Sequence, residues 1–347
     1  MQRRDFLQTF AASMAALALP AWGDDAASAS DKREIMTVLG RIRGRDMGVT
    51  LEHEHLLASF QPYAEWARQP LPYDRDEVVK LVLPHLQRIR ELGCRTLVDA
   101  TAVGLGRDAV LLRRLAQESG VHIVMATGNY AAFENRFLPP YVFSDSDTAL
   151  AQRWIDEWED GIGGTDVKPG FIKLGFNGTP LSEVERKLIR AGAIAHLKTG
   201  LTIGAHTGPA VAALEELTIL KEMGVHPSAW IWIHAQNEKN LASHVDAARS
   251  GAWVSLDGIG PDSIDAHVEM VLNLRKQGLL GRTLVSQDAG WYEVGKPQGG
   301  TFRPFDTIFT SFIPALRAKG VTQTEIDTVL VDNPATAFAI GVRAAKG

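Results

Sequence analysis

The chain has one cysteine in 347 residues, Cys94, so no intrachain disulfide can hold it together. Its place just ahead of the apolar run Thr96-Leu97-Val98 reads as a buried, inert thiol. No Lys/Arg cluster interrupts the body of the chain and the net charge is −5, which argues against a nucleic-acid partner. No Gly-x-Gly-x-x-Gly turn follows the first main strand, so the usual dinucleotide-binding signature is missing. The one N-terminal apolar run, Thr9 to Leu19, is shorter than the roughly 20 residues that span a bilayer. What is present, 45% hydrophobic and 22% charged residues, is enough for a full-size globular core.

That short apolar run belongs to a distinct N-terminal segment. Paired arginines in Arg3-Arg4-Asp5-Phe6-Leu7 precede it, and Pro20-Ala21-Trp22-Gly23 follows it. A charged start, an apolar stretch of signal length and a small-residue cleavage zone predict a signal peptide over residues 1–23. The Arg-Arg-x-Phe-Leu order resembles a twin-arginine export address, which implies a periplasmic mature protein with no integral membrane segment. Residues 24–34, rich in Ala, Ser and Asp, read as a disordered lead-in.

From residue 35 onward the pattern is regular. Glu34 to Gly48 reads as a short hairpin, with turn signals at Gly40, Gly44 and Gly48. Eight short apolar strands then alternate with helical periodicity at intervals of about 30 residues. No linker divides the array, so residues 35–347 read as one α/β domain. Parallel strands covered by helices on both faces, eight times over, predict a (β/α)8 TIM barrel with an N-terminal β-hairpin and an extra C-terminal helix. A doubly wound open sheet is the alternative. Pro84, within the expected helix 76–92, marks a kink or a late helix start.

In such a barrel the chemistry sits at the C-terminal strand ends. Gly48-Val49-Thr50-Leu51-Glu52-His53-Glu54-His55 reads as the first strand, and a strand sends i and i+2 to one face. His53 and His55 therefore project together, with Glu52 and Glu54 opposite. Alone, the pair is weak evidence for a metal site. The later strand ends add Lys173, His206, His234 and Asp288, each after an apolar strand body. One such group could be a hydrogen-bonded core residue; six converging on one barrel mouth are costly to bury without a metal or partners. Four imidazoles and a carboxylate suit borderline divalent ions such as zinc. They also exceed the three protein ligands of a single catalytic zinc, so two metals fit the count better. Lys173 would repel cations as an ammonium, whereas its carbamate with carbon dioxide is an anionic bridge. A Schiff-base lysine is the competing account; the surrounding histidines favour the carbamate.

These residues carry a family resemblance. Gly48-Val49-Thr50-Leu51-Glu52-His53-Glu54-His55-Leu56 closely resembles the signature of the phosphotriesterase family of the amidohydrolase superfamily. The similarity continues through Thr96-Leu97-Val98-Asp99, Ile172-Lys173, Ala205-His206-Thr207, Ile233-His234 and Val285-Ser286-Gln287-Asp288. It implies that His53, His55 and Asp288 hold a more buried metal and His206 and His234 a more exposed one. Carboxylated Lys173 and a hydroxide would bridge the two. Asp288 would also accept a proton from the bridging hydroxide, and Lys173 shares the catalytic role. The implied substrate is a small-molecule ester, lactone or organophosphate, with an amide open. The family often forms dimers, so a homodimer is implied as one option.

The chain departs from the family pattern in two places. Where phosphotriesterases carry a relay histidine and the lactonases an arginine, this sequence has Gly258 after Asp257. Where the former have a relay aspartate, it has Asn237. Neither subfamily is supported, and a cyclic or activated carboxylic ester is the expected substrate. Tyr130, Trp291 and Tyr292 are candidate pocket walls. A Schiff-base lyase, or a metal- or ligand-binding protein without turnover, remain alternatives. The other histidines, His85, His122, His196, His226, His244 and His267, read as surface or capping residues.

Overall fold

The computed structural model describes residues 33–345. The expected signal peptide and all of the lead-in up to residue 32 lie outside the described residues. Glu34, expected at the end of the lead-in, already opens a strand. That strand, β1 (Glu34–Thr37), pairs antiparallel with β2 (Gly40–Arg43), forming the expected hairpin.

Eight further strands follow in chain order: β3 (Thr50–Ala58), β4 (Thr96–Asp99), β5 (His122–Thr127) and β6 (Phe171–Gly175) make the first half. β7 (Thr202–His206), β8 (Trp230–Ile233), β9 (Trp253–Leu256) and β10 (Thr283–Val285) make the second. Each is parallel to its predecessor, and the spatial order is sequential with no reversal, which excludes the doubly wound alternative. A ninth segment, β11 (Gly290–Glu293), lies parallel to β3 on its other side. The sheet closes where the chain leaves β10: Asp288 donates its N–H to the His53 carbonyl at 3.1 Å, and His55 donates to the Ala289 carbonyl at 3.0 Å. β10 and β11 are thus one eighth barrel strand broken at residues 286–289, so the strand expected over 283–288 is shorter and then resumes.

The inside of the barrel is filled from below. Val98, Val124, Phe171, Ile231, Trp253 and Leu284 pack with Met47 and Phe338, which close the floor. The outer faces of the strands pack against the helices, for which Asp74, Asp108 and Ser182 supply N-terminal caps. The helix Arg75–Glu91 starts at its Asp74 cap and runs through Pro84, so Pro84 does not mark a late start. The terminal helical segment runs from Gln323 to Ala337, longer than its apolar periodicity indicates. Among the described residues, no helix is long and apolar enough to cross a membrane.

Strict alternation fails in β3. Its pairing with β4 shifts register between Leu51 and Glu54. Glu52 and Ser255 share a hydrogen bond while His53 meets Asp257, and Ser255 and Asp257 share one face of the chain. Glu52 and His53 therefore both face the barrel interior, contrary to the simple period-two expectation; a bulge has this effect. Glu54 does point away. Its buried carboxyl group, which burial pushes up to about 8, accepts from Ser286 Oγ (2.7 Å), the Gln287 N–H (3.0 Å) and the Ala289 N–H (2.7 Å). The break in the eighth strand is thus wrapped around Glu54, and Asp288 is held there at φ 48°.

Glu54→Ala leaves those three donors unpaired, each at about 1–3 kcal/mol. A stability loss of about 3 kcal/mol or more in chemical denaturation is expected, whereas a loss below about 1 kcal/mol would show that the break holds without Glu54.

Candidate metal centre

The six residues expected at the strand ends do converge. The His53 ring centroid is 5.4 Å from that of His55 and 5.0 Å from that of His234, and His206 and His234 are 4.3 Å apart. Lys173 Nζ lies 3.3 Å from His53 Nε2. Asp288 Oδ1 lies 3.2 Å from His55 Nε2 and 3.8 Å from His53 Nε2. Donor atoms of His53, His234 and Asp288 all fall within 4.8 Å of one another. His234 and Asp288 adopt left-handed backbone conformations (φ 64° and 48°), which non-glycine residues seldom take outside constrained sites.

All four imidazoles are oriented the same way. His53 Nδ1 meets Asp257 at 2.9 Å and His234 Nδ1 meets the same carboxylate at 2.6 Å. His55 Nδ1 meets Thr101 Oγ1 at 2.8 Å, and that hydroxyl donates onward to the Leu57 carbonyl. His206 Nδ1 meets the Tyr130 hydroxyl at 2.9 Å. With each Nδ1 engaged by the protein, each Nε2 is left for the centre, the arrangement in which histidines bind metal. Asp288 Oδ1 is buried and without a hydrogen-bond partner, and a cation would satisfy it. The donor set thus fits divalent metal.

Electrostatics agree. Burial, reinforced by the Lys173 charge, lowers His53 to about 4, so this ring is neutral and can coordinate. His206 is likewise depressed, first by burial and then by His234. Burial lowers Lys173 to about 8, which gives its amine a neutral fraction near physiological pH. Burial alone would raise Asp288, but His53, His55 and His234 together outweigh it and hold the carboxylate well below its usual range.

Asp257 was legible only as the end of a strand; the structure makes it the junction of the site. Besides the two rings it accepts from the His234 N–H (3.0 Å), Ser255 Oγ (2.8 Å) and Gln236 Nε2 (2.9 Å). Gln236 also accepts the Asp257 N–H at 3.2 Å. A Cβ on Gly258 would stand 2.6 Å from Gln236 Nε2. The glutamine amide occupies the space of the side chain that Gly258 lacks, and it braces Asp257 from there.

All six strand-end residues line one cavity of about 330 Å³. Tyr130 and Trp291 line it, as expected, with Phe60, Leu105 and Phe133. Trp291 stacks on Phe60, and its indole donates to the Asp288 carbonyl at 2.9 Å. Tyr292 does not line it: alternation along β11 turns this ring into the outer core. Three of the remaining histidines are also placed differently from the expectation. His196, His244 and His267 are buried, with ring nitrogens on the carbonyls of Leu201, Ala235 and Ser263. Their spacing with Thr199, Ala248 and Val271 on helix faces is the signal that marks them as interior. His226 does cap a short helical turn. Cys94 is buried, and burial pushes its thiol up to about 12.

Asp257→Asn keeps the shape but removes one of two acceptors for the imidazole N–H groups. Metal affinity measured by competition with a chelator should fall about 10–100-fold. Unchanged affinity would show that the ring orientations do not depend on Asp257.

The similarity of the chain to known proteins follows the same lines. It matches the phosphotriesterase family over residues 33–338. An aryldialkylphosphatase of Saccharolobus solfataricus is 30% identical, the alignment covering 86% of this chain and 97% of that protein. The N-acetyltaurine hydrolase of Homo sapiens is 27% identical, covering 87% and 96%. The crystal structure of a lactonase from Listeria monocytogenes superposes with a TM-score of 0.78 at 26% identity, covering 89% of this chain and 99% of that one. With a match that spans the whole barrel, the chain belongs to the phosphotriesterase family of hydrolases.

Proposed function

We propose that this protein is a binuclear-metal hydrolase of carboxylic esters, lactones foremost. The observation that carries this is the common orientation of four imidazoles, Nδ1 outward and Nε2 inward, around Lys173 and Asp288. His53, His55 and Asp288 would hold one ion and His206 and His234 the other, with Lys173 between. Two bound cations, zinc by the donor set, supply a hydroxide near neutral pH and polarise the substrate carbonyl. The protein's own part is positional and acid–base. Asp288, ionised by its neighbours, accepts the proton released as the nucleophile attacks. Lys173, neutral in part, adds through Nζ to carbon dioxide; the N–C bond forms, one proton leaves, and the product is an anionic carbamate. The aromatic walls keep water from the reacting bond.

An amide substrate is the second reading, favoured by the hydrolase of N-acetyltaurine among the relatives. The aryldialkylphosphatase keeps a phosphotriester as a third. A Schiff base on Lys173 is disfavoured by the imidazole nitrogen only 3.3 Å from the amine. Export to the periplasm is part of the same proposal and rests on the Arg3-Arg4 segment. A homodimer is supported by the family habit alone.

Asp288→Asn should lower kcat on a lactone or aryl ester about 100-fold or more while metal content is kept; retained turnover would contradict the proton role. Lys173→Ala should lose metal and activity together, with partial return on adding a short carboxylic acid. Burial depresses the lysine, so the ammonium form dominates below about 8 and cannot attack carbon dioxide. Reconstitution of the apoprotein with metal and bicarbonate should therefore accelerate as pH rises through that value. A flat pH dependence would count against the carbamate.

A further inference from the structure

The cavity lined by the six strand-end residues is chemically lopsided. Beyond those six residues, its wall includes Ala58, Phe60, Leu105, Phe133, Trp291 and Tyr130, whose hydroxyl oxygen accepts from His206 Nδ1 in the tautomer that leaves Nε2 free. One other charged side chain lines it, Arg136. Its guanidinium stacks on two aromatic faces, 5.1 Å from the Phe133 centroid and 4.9 Å from that of Phe137. Stacking fixes the plane of an arginine and leaves its N–H edge free. Among the described residues nothing takes up that edge: no carboxylate pairs with Arg136, and its side chain donates no hydrogen bond. Arg107 and Arg75 behave otherwise. Arg107 is clamped on Glu157 and Arg75 on Asp108.

The backbone around Arg136 is also built rather than slack. Phe133, Glu134 and Asn135 are three consecutive left-handed residues, at φ 59°, 61° and 62°. Such a run is unfavourable for L-residues and needs anchoring. The Glu134 N–H donates to Asn177 Oδ1 at 3.0 Å, Asn177 is held in turn by Glu185, and the Tyr63 N–H donates to the Arg136 carbonyl at 2.8 Å. The outcome is an exposed cation resting on Phe133 and Phe137 at the edge of an otherwise apolar cavity, with no protein acceptor for its N–H donors.

We propose that Arg136 is the specificity-determining residue of this enzyme, selecting substrates with an anionic oxyacid group, a carboxylate, sulfonate or phosphate, at the end remote from the bond that is cleaved. The metal centre takes the scissile carbonyl, the aromatic wall takes a short apolar spacer, and the guanidinium takes the anion through paired N–H donors. As a statement about substrates, this rests on the hydrolase reading above.

The test uses the metal-loaded full chain and two esters with the same leaving group, mono-4-nitrophenyl glutarate and 4-nitrophenyl hexanoate. The wild type should favour the glutarate ester. Arg136→Ala should lose roughly 10- to 100-fold in kcat/KM on that ester, mainly through KM, and less than about threefold on the hexanoate. Arg136→Lys should restore part of the loss. Equal losses on both esters, or none on either, would overturn the proposal.

Calorimetry with glutarate and with the neutral hexanamide gives a readout free of turnover: Arg136→Ala should weaken glutarate alone. Titrations with 3-sulfopropanoate and 3-phosphonopropanoate rank the anion. If neither ester is cleaved but glutarate still binds through Arg136, the hydrolase reading fails and anion recognition stands. If glutarate binding ignores Arg136, anion recognition fails whatever the enzyme cleaves.

Discussion

A single buried carboxylate sets the geometry of this site. Asp257 holds His53 with one oxygen and His234 with the other, and those two rings are expected to serve different metal ions. Its position is over-determined, because Ser255, Gln236 and the His234 backbone all donate to it. Burial alone would raise its pKa, but the two histidines and the hydrogen bonds outweigh that and keep it ionised. A rigid anion beneath two imidazoles fixes their tautomers, so both Nε2 atoms are available without rearrangement. Preorganisation of this kind is what separates a set of ligands from a working site.

The second constraint is the break in the eighth barrel strand. A continuous strand there would turn successive side chains alternately inward and outward. Instead residues 286–289 fold around Glu54, and Asp288 is aimed at His55 from a strained backbone conformation. The same turn presents Trp291 to the cavity and sends Tyr292 to the outer core. The proposed metal ligand and proton acceptor, Asp288, and the cavity wall at Trp291 are therefore set by one local feature. Its anchor comes from the first strand, which also supplies the opening pair of histidines.

Much of this was legible in the sequence, for a physical reason. An ionisable side chain at the end of an apolar strand is costly anywhere except at a barrel mouth, so His53, His55, Lys173, His206, His234 and Asp288 stand out one by one. The supporting partners do not. Asp257 meets His53 across 204 positions of chain, and nothing in its neighbours shows that contact. The bulge that turns Glu52 inward leaves no mark on a period-two pattern. Gly258 leaves a space in the sequence pattern, and only the fold shows that the Gln236 side chain occupies it. Arg136 sits in a loop without periodicity, and only the coordinates place it over Phe133 and Phe137.

Four Nε2 atoms, Lys173 and Asp288 are proposed to enclose two metal ions. Anomalous X-ray diffraction from crystals of the zinc-loaded protein, recorded at the zinc edge, tests it most directly. Two peaks about 3.5–4 Å apart are expected, one beside His53, His55 and Asp288 and the other beside His206 and His234, with extra density extending from Lys173 Nζ between them. A single peak, or a bare Lys173 side chain in fully loaded crystals, would contradict it.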